Sequence, residues 1–330
     1  MKLKVITLFS GYGTQELALD YANIDYENIA NCDNYNVANT AYNTLHQTKY
    51  GNLGDIRNIT RETFPDCDFM SYSFPCQDIS ISGNQKGIRQ GTRSGLLFEV
   101  ERLLQIKTPK YLLMENVKNL ISKNHIKNFQ NHINFLNSLG YGCHWLLLNG
   151  ADFGCPQNRE RVYMMSVLGK TNEEVKGIMT NVFNHKVERS SMRPFLETSV
   201  PEGSYINCDY EKHVSRVKSI CKLVGRRKDI KYDQGRRIYS PDGCSPCLTT
   251  TGCPQILTED GRVRKISPRE AYRFMGVKDV DINKLLNTKI STQNHISLAG
   301  NSICVPVMVA IFKEFFNEYA IKYRRQLVYS

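Results

Sequence analysis

Short runs of strand length alternate with longer stretches of mixed polarity through the first half of the chain. Residues 3–9, 25–31, 69–73, 111–114, 144–148 and 161–167 read as strands, and apolar spacing at 15–23, 96–106 and 126–139 reads as helices. Strand and helix patterns in alternation predict an α/β domain with a doubly wound, mostly parallel sheet, spanning residues 1–170. Such a sheet binds ligands at the carboxyl ends of its strands, so the residues just past each run are the candidates for chemistry.

After about Gly169 the apolar rhythm fades and the chain turns basic, irregular and rich in Pro, Gly and Cys. This shift predicts a second, smaller irregular domain over residues 171–262, with 263–330 returning to the first domain through a helix at 306–323. The net charge of +11 is concentrated: ten Lys and Arg between 212 and 237 face only Asp229 and Asp233, a net of +8. Within this run Arg226, Arg227, Lys228, Arg236 and Arg237 are candidate contacts to an anionic polymer. The 11 cysteines are odd in number, scattered and without an export signal, so they read as reduced thiols. No stretch has the roughly 18 apolar residues of a membrane span, and the expected setting is a monomer in the cytoplasm with no membrane partner.

Four stretches at strand ends carry candidate chemistry. Phe9-Ser10-Gly11-Tyr12-Gly13-Thr14 is a glycine turn opening a helix, able to bring backbone N–H groups to a ligand, although any parallel sheet needs such a turn. Phe74-Pro75-Cys76-Gln77 sets a thiol in a polar loop, and a glycine-rich basic segment with Gln85, Lys86, Arg89 and Arg93 follows with the composition of a lid. Glu115 ends an apolar strand, where a carboxyl group could protonate a substrate ring or simply favour a helix start. In Gln157-Asn158-Arg159-Glu160-Arg161, at most one of the two arginines is expected to face the site.

Together, in this order, the four stretches resemble the cytosine-5 DNA methyltransferase family of bacterial or phage type. The likeness extends to Gly54-Asp55-Ile56, Arg93 through Glu99, Pro268-Arg269-Glu270-Ala271 and Gly300-Asn301-Ser302. It implies a Rossmann-like fold that uses S-adenosylmethionine and no metal. Phe9, Ser10, Gly11, Gly13, Thr14, Asn31, Cys32, Asp55, Ile56, Ser73, Pro75, Leu96, Asn301 and Ser302 would line the cofactor site, Phe9 stacking on adenine and Asp55 accepting from its amino group. Cys76 would attack carbon 6 of a flipped-out cytosine, with Gln77 beside it. Glu115 would hold ring nitrogen 3 and the exocyclic amine, Arg161 the ring carbonyl, and Arg159 would complete the catalytic set. Double-stranded DNA is the implied partner, a restriction endonuclease a possible companion, and Leu248 would support the flipped nucleotide.

Four positions depart from the family pattern. Asn31 stands where an acidic residue normally meets the cofactor ribose, Ser73 and Thr14 where glycine is usual, and Cys247 where a threonine precedes Leu248. The rival readings are a transfer-RNA cytosine-5 methyltransferase on the same fold, whose Cys-Phe-Thr signature is not found here, and a catalytically silent DNA-binding homologue. Zinc at Cys244-Ser-Pro-Cys247 lacks a second Cys pair.

Overall fold

Six strands and their crossover helices build the first layer system: β1 (Leu3–Leu8), α1 (Thr14–Tyr21), β2 (Tyr26–Cys32), α2 (Asn36–Leu45), β3 (Phe69–Tyr72), α3 (Leu97–Ile106), β4 (Tyr111–Val117), α4 (Ile126–Ser138) and β5 (Tyr141–Asn149). The short β6 (Gln157–Asn158), then β7 (Glu160–Leu168) and α5 (Asn172–Asn181), follow. The computed structural model describes residues 1–75, 94–212, 221–230, 233–250 and 254–320. The sheet order is β2-β1-β3-β4-β7-β5, with β1 to β4 parallel and β7 antiparallel to both of its neighbours.

These strands are apolar at consecutive positions because both faces are covered, as crossover helices require. Leu3 and Val5 of β1 enter one core while Ile6 and Leu8 enter the other; Tyr111 and Leu113 of β4 part in the same way from Leu112 and Met114. The fold is thus a Rossmann-like, mostly parallel α/β sheet, as the run pattern predicts. One crossover element went unread: α2 is rich in Asn and Thr, which compete with the helical backbone for hydrogen bonds, and it is held by buried Ala38, Ala41 and Tyr42.

A second, six-stranded sheet carries described residues of the basic stretch, Lys212, Arg226, Arg227 and Arg237 among them. It is formed by β8 (Tyr205–Ile206), β9 (Tyr210–Lys212), β10 (Leu223–Arg227), β11 (Arg237–Tyr239), β13 (Gln255–Leu257) and β14 (Val263–Lys265). The short α6 (Asp233–Arg236) leads into β11, and β12 (Ser245–Pro246) leaves this sheet to pair in parallel with β6. Helices α7 (Pro268–Phe274), α8 (Asp279–Leu286), α9 (Thr292–Asn301) and α10 (Val305–Phe315) close the chain. Phe312 and Phe316, at the end of α10, meet Phe69 of β3 with ring centroids 5.5 and 4.9 Å apart. Apolar residues of α7, α9 and α10 share a core with β1, β4 and α5, although α5 itself lies beyond the composition break.

A buried ion pair joins the second sheet to these helices. Arg264 of β14 gives Glu270 of α7 two hydrogen bonds of 2.8 Å, and both side chains are almost fully enclosed. Glu270 also accepts from the Ser267 N–H, closing a capping box at the start of α7, and from the Glu197 N–H. One carboxylate therefore fixes three segments.

Candidate active site

A cavity of about 270 Å3 opens where β1, β3 and β4 end and β7 begins. Its first wall is the turn after β1. Phe9 (φ 55°), Gly11 (φ 56°) and Gly13 (φ 83°) all take left-handed backbone, a conformation that is unusual for an aromatic residue. Gly13 cannot be replaced freely, because a Cβ there would lie 2.4 Å from the His46 ring. The turn exposes Phe9, Ser10, Gly11 and Thr14 to the cavity. Beside it, Asp33 lies just past β2 and accepts from the Gly11 N–H at 2.9 Å and the Tyr35 N–H at 2.9 Å. Burial pushes its carboxyl up despite those two donors.

The second wall holds the reactive groups. Glu115 is buried near the end of β4, and burial raises its carboxyl above the usual range, opposed by Arg161, Arg159 and a hydrogen bond from Ser73. Its Oε1 lies 3.3 Å from Arg161 Nε. Asn116 donates to the Phe74 carbonyl at 3.0 Å, tying the end of β4 to the loop that begins Ser73-Phe74-Pro75. Ser73, Phe74 and Pro75 all border the cavity.

Arg159 and Arg161 both face the cavity, so the expectation that only one would do so fails. Residues two apart on an extended chain return to the same side. Arg159 is 3% exposed and donates to the carbonyls of Leu248 (3.1 Å), Gly300 (3.0 Å) and Ser302 (2.7 Å). Its Nη1 and the Nη2 of Arg161 also reach Cys247 Sγ, at 3.2 and 3.5 Å.

The third wall is the end of α9, where Gly300, Asn301 and Ser302 border the cavity and the Tyr12 hydroxyl bonds Ser302 Oγ at 3.0 Å. Gly300 is needed for close approach: a Cβ would lie 2.5 Å from the Thr249 carbonyl oxygen.

The remaining expected cofactor residues lie elsewhere. Gly13 sits behind the wall as the cap of α1. Asn31 is buried and donates to Ser10 Oγ at 3.1 Å, while the buried Cys32 thiol contacts the Gly54 carbonyl and is pushed up to about 12 by burial. Asp55 caps a short turn and is held at about 2 by its hydrogen bonds to Arg57. Ile56 and Leu96 pack in and against the second apolar core. None of these six borders the cavity.

Among the expected DNA contacts, Arg226 and Arg227 lie on β10, Lys228 follows it, and Arg236 and Arg237 lie at the junction of α6 and β11. Leu248 is buried, its N–H donating to Gln157 Oε1 at 3.2 Å. Cys76, Gln77, Gln85, Lys86, Arg89 and Arg93 lie outside the described residues. Among the described residues, no group of three or more His, Cys, Asp and Glu could hold a metal ion.

Sequence reading missed Asp33 and Tyr35 on the cavity wall. Asp33 was within reach, since it is the first acidic residue after the second strand and two positions from Asn31.

A family model described as C-5 cytosine-specific DNA methylase matches residues 3–317. Type II methyltransferase M2.ScrFI of Lactococcus lactis subsp. cremoris is 33% identical, over 95% of this chain and 99% of that protein. Orphan methyltransferase M.SssI of Spiroplasma monobiae is 35% identical, over 82% of this chain and 71% of its own length. Type II methyltransferase M.HhaI of Haemophilus parahaemolyticus is 30% identical, over 93% and 92%. The crystal structure of S. pombe Dnmt2 methyltransferase superposes with a TM-score of 0.73 at 23% identity, covering 96% of this chain and 99% of that one, a likeness of fold.

Proposed function

We propose that this chain, which belongs to the C-5 cytosine-specific DNA methylase family, methylates carbon 5 of a cytosine extruded from duplex DNA, with Cys76 as nucleophile. The observation that carries the reading is the second wall: a buried carboxyl kept above its ordinary range, 3.3 Å from a guanidinium, on the same cavity as the glycine turn. Bound S-adenosylmethionine would supply an electrophilic methyl group.

The first wall suits that cofactor. Gly11 and Thr14 border the cavity at the amino end of α1, where N–H groups and the helix dipole favour a carboxylate. Phe9 offers a ring face to adenine. Asp33 rather than Asn31 offers the acid for the ribose hydroxyls, because Asp33 borders the cavity and Asn31 does not.

Carbon 5 of cytosine is a weak nucleophile. Addition of the Cys76 thiolate to carbon 6 turns the ring into an enamine and splits one hard step into two easier ones. Cys76 follows Pro75, itself on the cavity wall, by one peptide bond. Protonated Glu115 hydrogen-bonds nitrogen 3 and stabilises the charge that develops during attack, a role that suits an acid in a dry pocket. Arg161 both orients Glu115 and reaches the ring carbonyl. After methyl transfer, loss of the carbon 5 proton to a base expels Cys76 and restores the aromatic ring.

The second sheet would deliver DNA. Arg226 pairs across strands with Glu211 on one side and with Arg237 on the other. Like charges directly opposite destabilise a sheet, a cost that phosphate contact, the main source of affinity for a duplex, would offset.

The test is expression in a host free of cytosine methylation, with bisulfite mapping of 5-methylcytosine beside a Cys76→Ser control. Methylation at a recurrent sequence, lost in the control, is expected. No methylation from the unmodified chain, or equal levels in the control, overturns the reading.

A further inference from the structure

Cys247 stands where the two sheets are stitched together. Because β12 pairs in parallel with β6, Ser245 against Gln157 and Pro246 against Asn158, the residue after β12 is delivered beside the residue after β6. Those residues are Cys247 and Arg159. The thiol is half-buried, 3.2 Å from Arg159 Nη1 and 3.5 Å from Arg161 Nη2.

The charges of this wall need balancing. Arginine stays ionised in proteins, so two guanidiniums and one ionised Glu115 leave a net positive charge, and protonating Glu115 adds another. Both arginines thus pull Glu115 towards its ionised form, the wrong one for an acid, against the burial that raises it. A negative Cys247 offsets them.

Among the described residues, Tyr163, Cys221 and Cys155 offer no substitute. Burial raises the Tyr163 hydroxyl, which faces Arg159, and pushes the Cys221 thiol up to about 12. Cys155 is raised well above its ordinary range by its hydrogen bond to Cys304, the other thiol facing Arg159. For Cys247 itself burial pushes upward, but Arg159 and Arg161 outweigh it and hold the thiol below its ordinary range.

We propose that Cys247 is a positioning residue for Glu115: as a thiolate between Arg159 and Arg161 it fixes both guanidiniums and offsets the positive charge that pulls Glu115 towards its ionised form. This rests on the proposed function, and it assigns the departure from threonine at this position a role. Cys247 forms no bond to substrate. It sets the pH range over which Glu115 carries its proton.

The experiment compares single-turnover methylation of a duplex oligonucleotide against pH for the unmodified chain, Cys247→Ser and Cys247→Asp. The profiles should converge at acid pH, where the thiolate is protonated. Towards alkaline pH the serine variant should fall away, by up to about tenfold for each unit its Glu115 drops, while the aspartate variant follows the unmodified chain. Ultraviolet thiolate absorbance in a Cys76→Ser background gives a second readout: Cys247→Ser should erase a signal present at neutral pH. Parallel profiles, or no such signal, overturn this inference and leave the proposed function standing. An unmodified chain that makes no 5-methylcytosine would overturn the function and the positioning role of Cys247 together.

Discussion

The cavity wall and the second sheet both use arginine, in opposite ways. Arg159 is enclosed and gives its donors to three backbone carbonyls and a thiol, so its geometry is set before any ligand arrives. Arg226, Arg227 and Arg237 lie half-buried along a small sheet, where charge acts across solvent and is screened by salt. On the proposed function, enclosed arginines decide what the site can do, and the row on the sheet decides how tightly a polyanion is held. Substitutions should separate the two: large, salt-independent losses at the wall and small, salt-dependent ones at the row.

The largest effect is expected at Glu115. Glu115→Gln keeps shape and hydrogen bonding but cannot give up a proton to nitrogen 3, and should lower kcat/KM by about 10²- to 10⁴-fold with the duplex Kd nearly unchanged. A loss confined to DNA binding would place Glu115 in recognition rather than chemistry. Next comes the junction that holds wall and row together. Glu270→Ala leaves Arg264 buried without its carboxylate partner and removes the Glu270 half of the capping box of α7, and should cost about 3–5 kcal/mol of stability by chemical denaturation. A cost under about 1 kcal/mol, the value of a surface pair, would show that the two regions do not depend on this link.

The same contrast decides what could be read from sequence. Strands β1, β3 and β4 were legible because burial on both faces leaves continuous apolar runs. The basic row was legible because charge density needs no coordinates. The wall was only half legible. Glu115 announces itself as a carboxylate closing an apolar strand, but the partners of Arg159 come from residues 247, 248, 300 and 302, which only the pairing of β12 with β6 and the turn of α9 bring near. Spacing was also misread at Arg159 and Arg161, and an acid was sought at Asn31 when Asp33, two residues on, faces the cavity. Helix α2 hid because its Asn and Thr content contradicts its helical state, which packing alone maintains.

A smaller effect belongs to the glycine turn, the part of the wall built from backbone. Gly13→Ala must hold φ at 83°, which costs an L residue about 1–2 kcal/mol, and must also displace the His46 ring. The expected result is a lower Tm together with about tenfold weaker S-adenosylmethionine binding by calorimetry. Weaker binding with no change in Tm would mean that α2 yields to the new methyl group and that the turn alone is disturbed.

The smallest effects are expected in the row, and two adjacent residues test it with opposite signs. Lys228 is exposed just past β10, so Lys228→Ala should remove about one phosphate contact and reduce the slope of log affinity against log salt by about 0.9. Asp229 is exposed beside it and forms an ion pair with Arg227 whose hydrogen bond holds the Asp229 carboxyl below its usual range. That pair ties up one cation before DNA arrives, and phosphate must compete for it. Asp229→Asn removes the competitor without removing the arginine, and should steepen the slope and tighten duplex binding several-fold at low salt. Neither variant should alter the single-turnover rate at saturating DNA, since neither touches the cavity. If both slopes match that of the unmodified chain, the row is a solvated surface, and the affinity for DNA must come from elsewhere in the chain.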